Sequence, residues 1–231
     1  MRRLLPEPAA DADPYEAYGD APALRIGMVM SADGSVTDDE GWTDRLGGEA
    51  DFRVFRTLRA LADAILVGAG TVRTGRLGPA RLRADLRERR GGPPAPIVVV
   101  SRTLDLDWSL PLFTAAETPT IVVTSRAALA RHAPPVRAVA AGEEEIDLPA
   151  AVRLLREEFP RLLCEGGPAL TTSLIREGLA DELCLNVAPT LYGGGPRHTR
   201  LLGELPAEVR LRPAAVYEDE GVLFLRYRLR T

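Results

Sequence analysis

The stretch that decides the fold is Ala64-Ile65-Leu66-Val67-Gly68-Ala69-Gly70-Thr71. A run of apolar residues with branched side chains is typical of a buried strand, and the glycines that follow allow a tight turn. Before it, the segment from Ala50 to Leu61 places four large apolar residues at helical spacing. Before that helix, Leu24-Arg25-Ile26-Gly27-Met28-Val29-Met30 has the composition of another buried strand. The sequence therefore predicts a strand–helix–strand unit.

The pattern continues outward from this unit. Further apolar runs, typical of strands, occur at 97–100, 120–123, 136–140 and 161–164, with predicted helices at 126–131 and 148–158. Strands that alternate with helices indicate a mostly parallel sheet flanked by helices. The last third predicts a helix over 170–177, a strand over 182–188 and a hairpin of strands near 210–217 and 222–229. We therefore predict an α/β fold with an antiparallel C-terminal hairpin.

The domain organisation follows from a change in composition. Residues 1–22 are rich in proline, alanine and acidic residues, and we interpret them as an N-terminal arm packed on the surface. Residues 23–231 are interpreted as a single domain. Residues 76–96 contain several arginines and prolines and two adjacent glycines, so we expect a partly helical excursion that ends in a loop.

The composition excludes several kinds of chemistry. The chain has 231 residues and a formal charge of −4, and all 29 basic residues are arginine. The absence of lysine excludes Schiff-base catalysis and a phosphate-loop lysine, so arginine or backbone N–H groups must bind any phosphate. His132, His198, Cys164 and Cys184 are too far apart in sequence for a zinc motif, and we predict no metal site.

The charge and hydropathy also bear on partners and location. A pI near 5.4 argues against a nucleic-acid surface. Several arginines crowd residues 81–90, but we interpret them as a solvated helix face. No apolar run approaches the roughly 20 residues of a membrane span, and the N-terminus has no signal-peptide pattern. The expectation is a cytoplasmic protein with reduced cysteines.

Two glycine-rich turns are candidates for phosphate binding. Val67-Gly68-Ala69-Gly70-Thr71 follows one predicted strand, and Cys164-Glu165-Gly166-Gly167-Pro168 follows another. Such turns expose backbone N–H groups beside a helix N-terminus, which favours anions. Close packing between a strand and a helix would also explain the glycines, and neither turn matches a full Rossmann fingerprint.

Three further positions allow either a structural or a functional interpretation. Ser101-Arg102 and Ser125-Arg126 each end a predicted strand, where a hydroxyl and a guanidinium could hold the 2′-phosphate of NADP or could merely be solvated. Asp33 lies in Ser31-Ala32-Asp33-Gly34, which is first of all a turn signal.

These segments together carry a family resemblance. The turn at 31–34, the segments Leu58-Arg59-Ala60 and 64–73, the turn at 162–168 and the segments 181–183 and 188–195 resemble, in the same order, the reductase domain of bacterial riboflavin biosynthesis, whose fold is similar to that of dihydrofolate reductase. The resemblance runs from about residue 24 to the C-terminus. The His-x-Glu and Pro-Cys-x-x-Cys motifs of the deaminase found in bifunctional relatives are absent from this sequence, so the chain resembles a stand-alone reductase.

The resemblance implies an activity and a set of site residues. It implies NADPH-dependent reduction of the ribosyl group of 5-amino-6-(5-phosphoribosylamino)uracil to ribityl, with hydride delivered to the sugar carbon that bears the amine in its opened, imine-like form. Asp33 would stand near the nicotinamide as a turn former or proton relay, and Glu165 would face the pyrimidine; these two are the expected catalytic residues. The expected substrate contacts are Thr43, Arg59, Glu165 and either Arg81 or Arg83. The expected cofactor contacts are Val29, Thr71, Ser101, Gly166, Gly167, Pro168, Ala169, Leu170, Thr171, Thr172 and Ser173.

The sequence departs from the family pattern at two places. Gly27 stands where members often have lysine, and Thr74-Gly75-Arg76 replaces an Asp-Asp-Pro loop. A dihydrofolate- or pterin-type reductase on the same fold therefore remains an alternative, as does an NADP-binding protein without turnover. Arg59, Thr71 and Glu165 together argue against the last, because a pure binder needs no groups for a second substrate. The family also implies a homodimer.

Overall fold

The computed structural model describes residues 1–20, 22–43 and 45–229. Over these residues the strands are β1 (Arg2–Leu5), β2 (Leu24–Ser31), β3 (Ala64–Gly68), β4 (Ile97–Val100), β5 (Ile121–Thr124), β6 (Arg137–Ala140), β7 (Leu162–Cys164), β8 (Glu182–Ala188), β9 (Arg212–Asp219) and β10 (Val222–Arg228). The helices are α1 (Pro14–Ala17), α2 (Gly48–Leu61), α3 (Ala69–Arg73), α4 (Ala84–Arg90), α5 (Pro111–Thr114), α6 (Arg126–Arg131), α7 (Leu148–Glu158) and α8 (Pro168–Arg176).

All of these strands belong to one sheet. Its order is β1-β9-β10-β8-β2-β7-β3-β4-β5-β6. The strands from β8 to β6 in that order run parallel, whereas β10 pairs antiparallel with β8 and β9, and β1 pairs antiparallel with β9. The predicted fold class, a mostly parallel sheet with an antiparallel C-terminal hairpin, is confirmed.

Helices cover both faces of the sheet, which explains why its central strands are apolar throughout. On one face, α2 packs Val54, Leu58 and Leu61 against side chains such as Val67 of β3. On the other face, α7 and α8 pack against the alternate side chains of the same strands, such as Leu66. Burial on both faces requires continuous apolar runs rather than alternation.

The N-terminal segment 1–22 contributes an edge strand and is fixed by a buried charge network. Glu182 of β8 is fully buried and binds Arg25 of β2 and Arg226 of β10. The two guanidinium groups also donate to the backbone carbonyls of Tyr18 and Ala17, respectively. The start of the chain is thus held by hydrogen bonds to charged groups in the centre of the sheet.

Two findings bear on membrane and metal binding. Within the described ranges, no helix combines the length and the hydropathy needed to cross a bilayer. The same residues contain no group of three or more His, Cys, Asp or Glu side chains placed to hold a metal ion. Cys164 and Cys184 are both buried and unpaired, and burial raises the pKa of each thiol to about 12.

Candidate active site

A cavity of about 490 Å³ opens at the carboxyl ends of β2, β7 and β3, between the sheet and α2. This volume is in the range of small-molecule sites, and the carboxyl edge of a parallel sheet is where such sites form. Its lining comprises Gly27, Met28, Val29, Val36, Thr37, Gly41, Trp42, Thr43, Asp51, Phe52, Phe55, Leu58, Arg59, Val67, Gly68, Gly70, Thr71, Thr74, Arg76, Leu77, Leu163, Glu165, Gly167, Pro168, Ala169, Leu170, Asn186 and Thr199.

A buried ion pair lies in the cavity wall. Arg59, in the last turn of α2, donates from Nε and Nη2 to the two carboxylate oxygens of Glu165, at 2.7 and 2.6 Å. The side chains are 12% and 8% exposed, and the guanidinium also stacks on the Phe55 ring, 4.3 Å from its centroid. The bidentate geometry fixes both groups and leaves the Nη1 protons of Arg59 and lone pairs of Glu165 for a ligand.

Glycines from both predicted turns meet on one side of the cavity. Gly68 donates its N–H to the carbonyl of Gly166 at 2.8 Å, which locks the two turns together. A Cβ at Gly167 would lie 3.2 Å from Oγ1 of Thr71, and Gly166 has a φ of +95°, which favours glycine. Gly167 is also the N-cap of α8, so bare backbone and a helix N-terminus line this wall.

A second polar pair lies near the first turn of α2. Nδ2 of Asn186, on β8, donates to Oδ1 of Asp51 at 2.6 Å. Burial raises the pKa of the Asp51 carboxyl above its usual value, while the hydrogen bond from Asn186 acts in the opposite direction. Oδ1 of Asn186 is buried and has no hydrogen-bond partner within the described part of the chain.

Trp42 and Arg76 form another part of the lining. The Arg76 guanidinium lies 3.7 Å from the centroid of the Trp42 ring. Thr43, the neighbour of Trp42, donates its hydroxyl to the Val36 carbonyl at 3.2 Å. Arg76 is therefore a second guanidinium in the lining besides Arg59, and it stands in the segment where the sequence departs from the family's Asp-Asp-Pro.

The cavity brings together nine of the residues expected at the site. They are Val29, Thr43, Arg59, Thr71, Glu165, Gly167, Pro168, Ala169 and Leu170. Five of these come from the turn after β7 and the first turn of α8, while the others come from separate segments. The topology, rather than sequence proximity, assembles this group.

Other expected residues lie outside that lining. Ser101 is fully buried and accepts the N–H of Leu104 with its Oγ at 3.1 Å. Thr172 donates to the Pro168 carbonyl and accepts the N–H of Gly203, which ties α8 to a distant loop. Gly166 and Thr171 are sequence neighbours of lining residues, and Ser173 lies further along α8. Arg81 and Arg83 are exposed.

Asp33 also lies outside the cavity lining. It is exposed, accepts the hydroxyl of Ser31 at 2.5 Å, and accepts the N–H groups of Tyr192 and Gly193 at 3.2 and 2.6 Å. The Ser31 hydroxyl and these N–H groups hold the pKa of Asp33 below its usual value. In the structure Asp33 therefore connects the turn after β2 to the loop at 192–195, which contains three consecutive glycines.

The cavity floor is closely packed at Gly27. A Cβ at this position would lie 3.2 Å from Cδ1 of Leu58 and 3.4 Å from Cδ1 of Leu163. The floor here is formed by backbone and by two leucine side chains from neighbouring elements.

Sequence reasoning missed the polar residues Asp51, Asn186 and Arg76, and the aromatic residues Trp42, Phe52 and Phe55 as cavity groups. Phe52 and Phe55 are two of the four apolar residues at helical spacing in the segment 50–61, but the structure places them in the cavity lining rather than in the buried core. An acidic residue near a helix N-terminus is normally explained by the helix dipole. The available signal was Asn186, a polar residue that interrupts the apolar run 183–188.

The fold and the cavity define a class of protein. A parallel sheet with a glycine-lined cavity at its carboxyl edge, next to a helix N-terminus and a buried carboxylate–guanidinium pair, is the architecture of an α/β protein that binds nucleotide-like small molecules. A family model narrows this class, because the model described as RibD C-terminal domain matches residues 22–224. The chain belongs to the RibD C-terminal domain family.

Curated relatives agree with this assignment. A protein from Archaeoglobus fulgidus named 2,5-diamino-6-ribosylamino-4(3H)-pyrimidinone 5′-phosphate reductase is 34% identical over 194 residues, which cover 79% of this chain and 87% of that protein. A protein of the same name from Methanothermobacter thermautotrophicus is 31% identical over 192 residues, which cover 79% of this chain and 85% of that protein. These relatives are archaeal, so the bacterial qualifier of the expected family is not established.

Solved structures match the fold over nearly the whole chain. A pyrimidine reductase-like protein from Corynebacterium diphtheriae superposes with a TM-score of 0.77 at 24% identity, covering 95% of this chain and 96% of the other. The riboflavin biosynthesis reductase of Saccharomyces cerevisiae superposes with a TM-score of 0.68 at 18% identity, covering 96% and 93%.

Proposed function

We propose that this chain is an NADPH-dependent reductase that converts the ribosyl group of a ribosylaminopyrimidine 5′-phosphate to a ribityl group. The observation that carries the proposal is the pairing of Arg59 with Glu165 in the wall of a cavity whose other side is bare glycine backbone. One side fits a phosphorylated cofactor and the other fits a polar heterocycle. The names of the relatives from Archaeoglobus fulgidus and Methanothermobacter thermautotrophicus support the same reaction.

The residues of the glycine wall fit a nicotinamide dinucleotide. Gly68, Gly70 and Gly167 line the cavity, and a side chain at Gly167 would meet Thr71. We assign Val29, Thr71, Ser101 and the segment 166–173 to the cofactor, with its phosphates near the N-terminus of α8. When bound, the cofactor supplies the hydride of the reduction.

The ion pair fits the pyrimidine. The Glu165 carboxylate keeps acceptor capacity for ring N–H and amino groups, and Arg59 keeps donors for ring carbonyls. Because the two side chains hold each other, little rearrangement is needed when the heterocycle binds. We assign the substrate phosphate to an arginine, with Arg81 and Arg83 expected from the resemblance and Arg76 favoured by its place in the lining.

Two pyrimidines are candidate substrates. The resemblance favours 5-amino-6-(5-phosphoribosylamino)uracil, whereas the relatives from the two archaea are named for the 2,5-diamino compound. The diamino compound presents an N–H and an amino group side by side, and a carboxylate can accept from both at once. The Glu165 carboxylate therefore fits the diamino compound, which is the second candidate substrate. Both compounds would contact the same Arg59–Glu165 wall of the cavity.

The test is NADPH oxidation, followed by the loss of nicotinamide absorbance, with each pyrimidine and with dihydrofolate in parallel. Turnover with either pyrimidine, and none with dihydrofolate, is the expected result, and the ratio of kcat/KM identifies the preferred pyrimidine. Turnover with dihydrofolate but with neither pyrimidine would overturn the proposal. Replacing NADPH by NADH in the same assay tests the cofactor preference. The expected homodimer is tested by light scattering, and the cytoplasmic location stays a prediction.

A further inference from the structure

The Asp51 carboxyl occupies a place in the cavity that the proposed binding roles leave unused. Asp51 lines the cavity from α2, and Asn186 lines it from β8, at the position paired with Val29 of β2. Asn186 holds Oδ1 of Asp51 at 2.6 Å. The carboxyl is therefore oriented by a neutral amide and stands in the wall where a ligand would lie.

The Asn186 side chain points to a ligand independently of Asp51. Asn186 is only 5% exposed, yet its Oδ1 has no partner among the described residues. A buried amide oxygen without a hydrogen bond costs free energy, and such groups in a cavity wall commonly bind a polar ligand. The unused acceptor next to Asp51 fits a hydroxyl or N–H group of the substrate.

Among the residues that the structure describes, no arginine forms an ion pair with the Asp51 carboxyl. The other ionisable groups in the cavity lining are Arg59, Glu165 and Arg76, and Arg59 is bound by Glu165. Arg53, two residues after Asp51 on α2, binds Asp219 and Glu220. The lining residues of β2 and β8 are not ionisable. Burial without a cation raises the pKa of Asp51, so its protonated form persists to higher pH than that of an exposed aspartate.

Asp51 and Arg59 stand at separate points along one helix. They are eight residues apart on α2, or about 12 Å along the helix axis. Residues 51, 55 and 59 share one face, and Phe55 lies between the two polar groups as an apolar floor. A substrate with its pyrimidine at the Arg59–Glu165 pair can therefore direct its sugar towards Asp51.

We propose that the Asp51 carboxyl, positioned by Asn186, donates the proton that the reduction consumes. The proposal rests on the proposed function. Opening the sugar breaks the bond between the anomeric carbon and the ring oxygen, as the amine nitrogen's lone pair forms the C=N bond. Asp51 gives its proton to the departing ring oxygen, and hydride addition to the anomeric carbon then neutralises the iminium. The reaction takes up one hydride and one proton, and solvent reprotonates Asp51.

The first test is the isosteric variant Asp51→Asn, which keeps the size but cannot act as an acid. We expect kcat to fall by about 10²- to 10⁴-fold, while KM changes by less than about tenfold, because general acid catalysis has that typical magnitude. The matched control is Glu49→Gln on the same turn of α2, where Glu49 is exposed and pairs with Arg56. The control is expected to keep the wild-type kcat.

The second test uses Asn186→Leu and reports on protonation rather than on folding. Removing the Nδ2 donor takes away the interaction that favours the Asp51 carboxylate, so the pKa of Asp51 rises further. Activity that needs the acid is lost as pH rises through that pKa. The alkaline limb of the kcat profile is therefore expected to move to higher pH in Asn186→Leu, a shift that a merely structural role would not produce.

A binding measurement completes the test without turnover. Calorimetric titration of the cofactor-free protein with the ribosylaminopyrimidine, in buffers of different ionisation enthalpy at pH 8, measures protons taken up on binding. Burial of Asp51 beneath the substrate raises its pKa further, so wild-type protein is expected to take up more protons on binding than Asp51→Asn at every pH at which the free carboxyl is ionised. Equal uptake in the two proteins, or a kcat of Asp51→Asn within threefold of wild type, would overturn the assignment of Asp51. Absence of wild-type turnover with both pyrimidines would instead refute the proposed function.

Discussion

Replacing Arg59 by methionine tests the ion pair on which the proposed site depends. The variant keeps much of the aliphatic packing but leaves the Glu165 carboxylate, 8% exposed, without its two hydrogen bonds of 2.7 and 2.6 Å. Removing one partner of such a buried pair typically costs about 3–5 kcal/mol of unfolding free energy. A loss of 3 kcal/mol corresponds to more than about 100-fold in the folding equilibrium.

An exposed pair in the same chain provides the matched control. Arg137 also donates two hydrogen bonds to one carboxylate, from Nη1 and Nη2 to Glu158 at 2.9 and 2.6 Å, but the two side chains are 52% and 49% exposed. Arg137→Met is therefore expected to cost within about 1 kcal/mol. Urea denaturation followed by far-ultraviolet circular dichroism measures both variants in the ligand-free protein.

The double variant Arg59→Met/Glu165→Gln separates the free energy lost with the ion pair from the cost of burying an unpaired carboxylate. Because the uncompensated carboxylate is then removed, the double variant is expected to be more stable than Arg59→Met alone. Two results would contradict this account of the buried pair: a loss of unfolding free energy in Arg59→Met no larger than in Arg137→Met, or no regain of stability when Glu165→Gln is added.

Three further predictions concern other parts of the molecule. Gly167→Val is expected to weaken NADPH binding at least about tenfold, measured by nicotinamide fluorescence, because even a Cβ would lie 3.2 Å from Thr71 Oγ1 and a branched chain would enter the glycine wall; unchanged affinity would contradict the cofactor assignment. Cys164 and Cys184 are expected to resist a thiol reagent at pH 8 and to react fully in denaturant, because burial raises the pKa of each thiol to about 12; labelling of the native protein would be inconsistent with their burial. Glu182→Gln is expected to lower stability by about 3–5 kcal/mol in urea denaturation, because it leaves the buried Arg25 without its anion and Arg226 with only the exposed Asp20; a loss below 1 kcal/mol would show that the network does not anchor the N-terminal segment.

Much of the fold was predictable from local patterns. The helix expected over 50–61 is α2, Gly48–Leu61, and the strand expected over 182–188 is β8, because burial imposes the periodicity that the sequence displays. β1 was not predicted, since its four residues carry no pattern of their own and its hydrogen bonds go to β9, more than 200 residues later. Its strand structure depends on a partner that only the tertiary fold provides.

The sequence predicted individual site residues but not the pairings between them. The turn 164–168 was expected as a unit, and Glu165, Gly167 and Pro168 of this turn line the cavity. The pairing of Arg59 with Glu165 spans 106 residues, and that of Asp51 with Asn186 spans 135. No local pattern indicates either pairing, because the partners come from separate elements. Asp33 shows the converse, since its turn motif was evident but its hydrogen bonds to residues 192 and 193 were not.

The glycine in the cavity floor constrains how this sequence can diverge. Any side chain at Gly27 begins with a Cβ placed 3.2 Å from Leu58 and 3.4 Å from Leu163, so Leu58 has to move before position 27 can enlarge. Leu58 is the neighbour of Arg59 on α2. Exchange of Gly27 for a long side chain, as the family often has, would thus favour a compensating change at Leu58. We expect the residues at positions 27 and 58 to change together. A substitution tolerated in a sequence with glycine at position 27 need not be tolerated in one with a long side chain there.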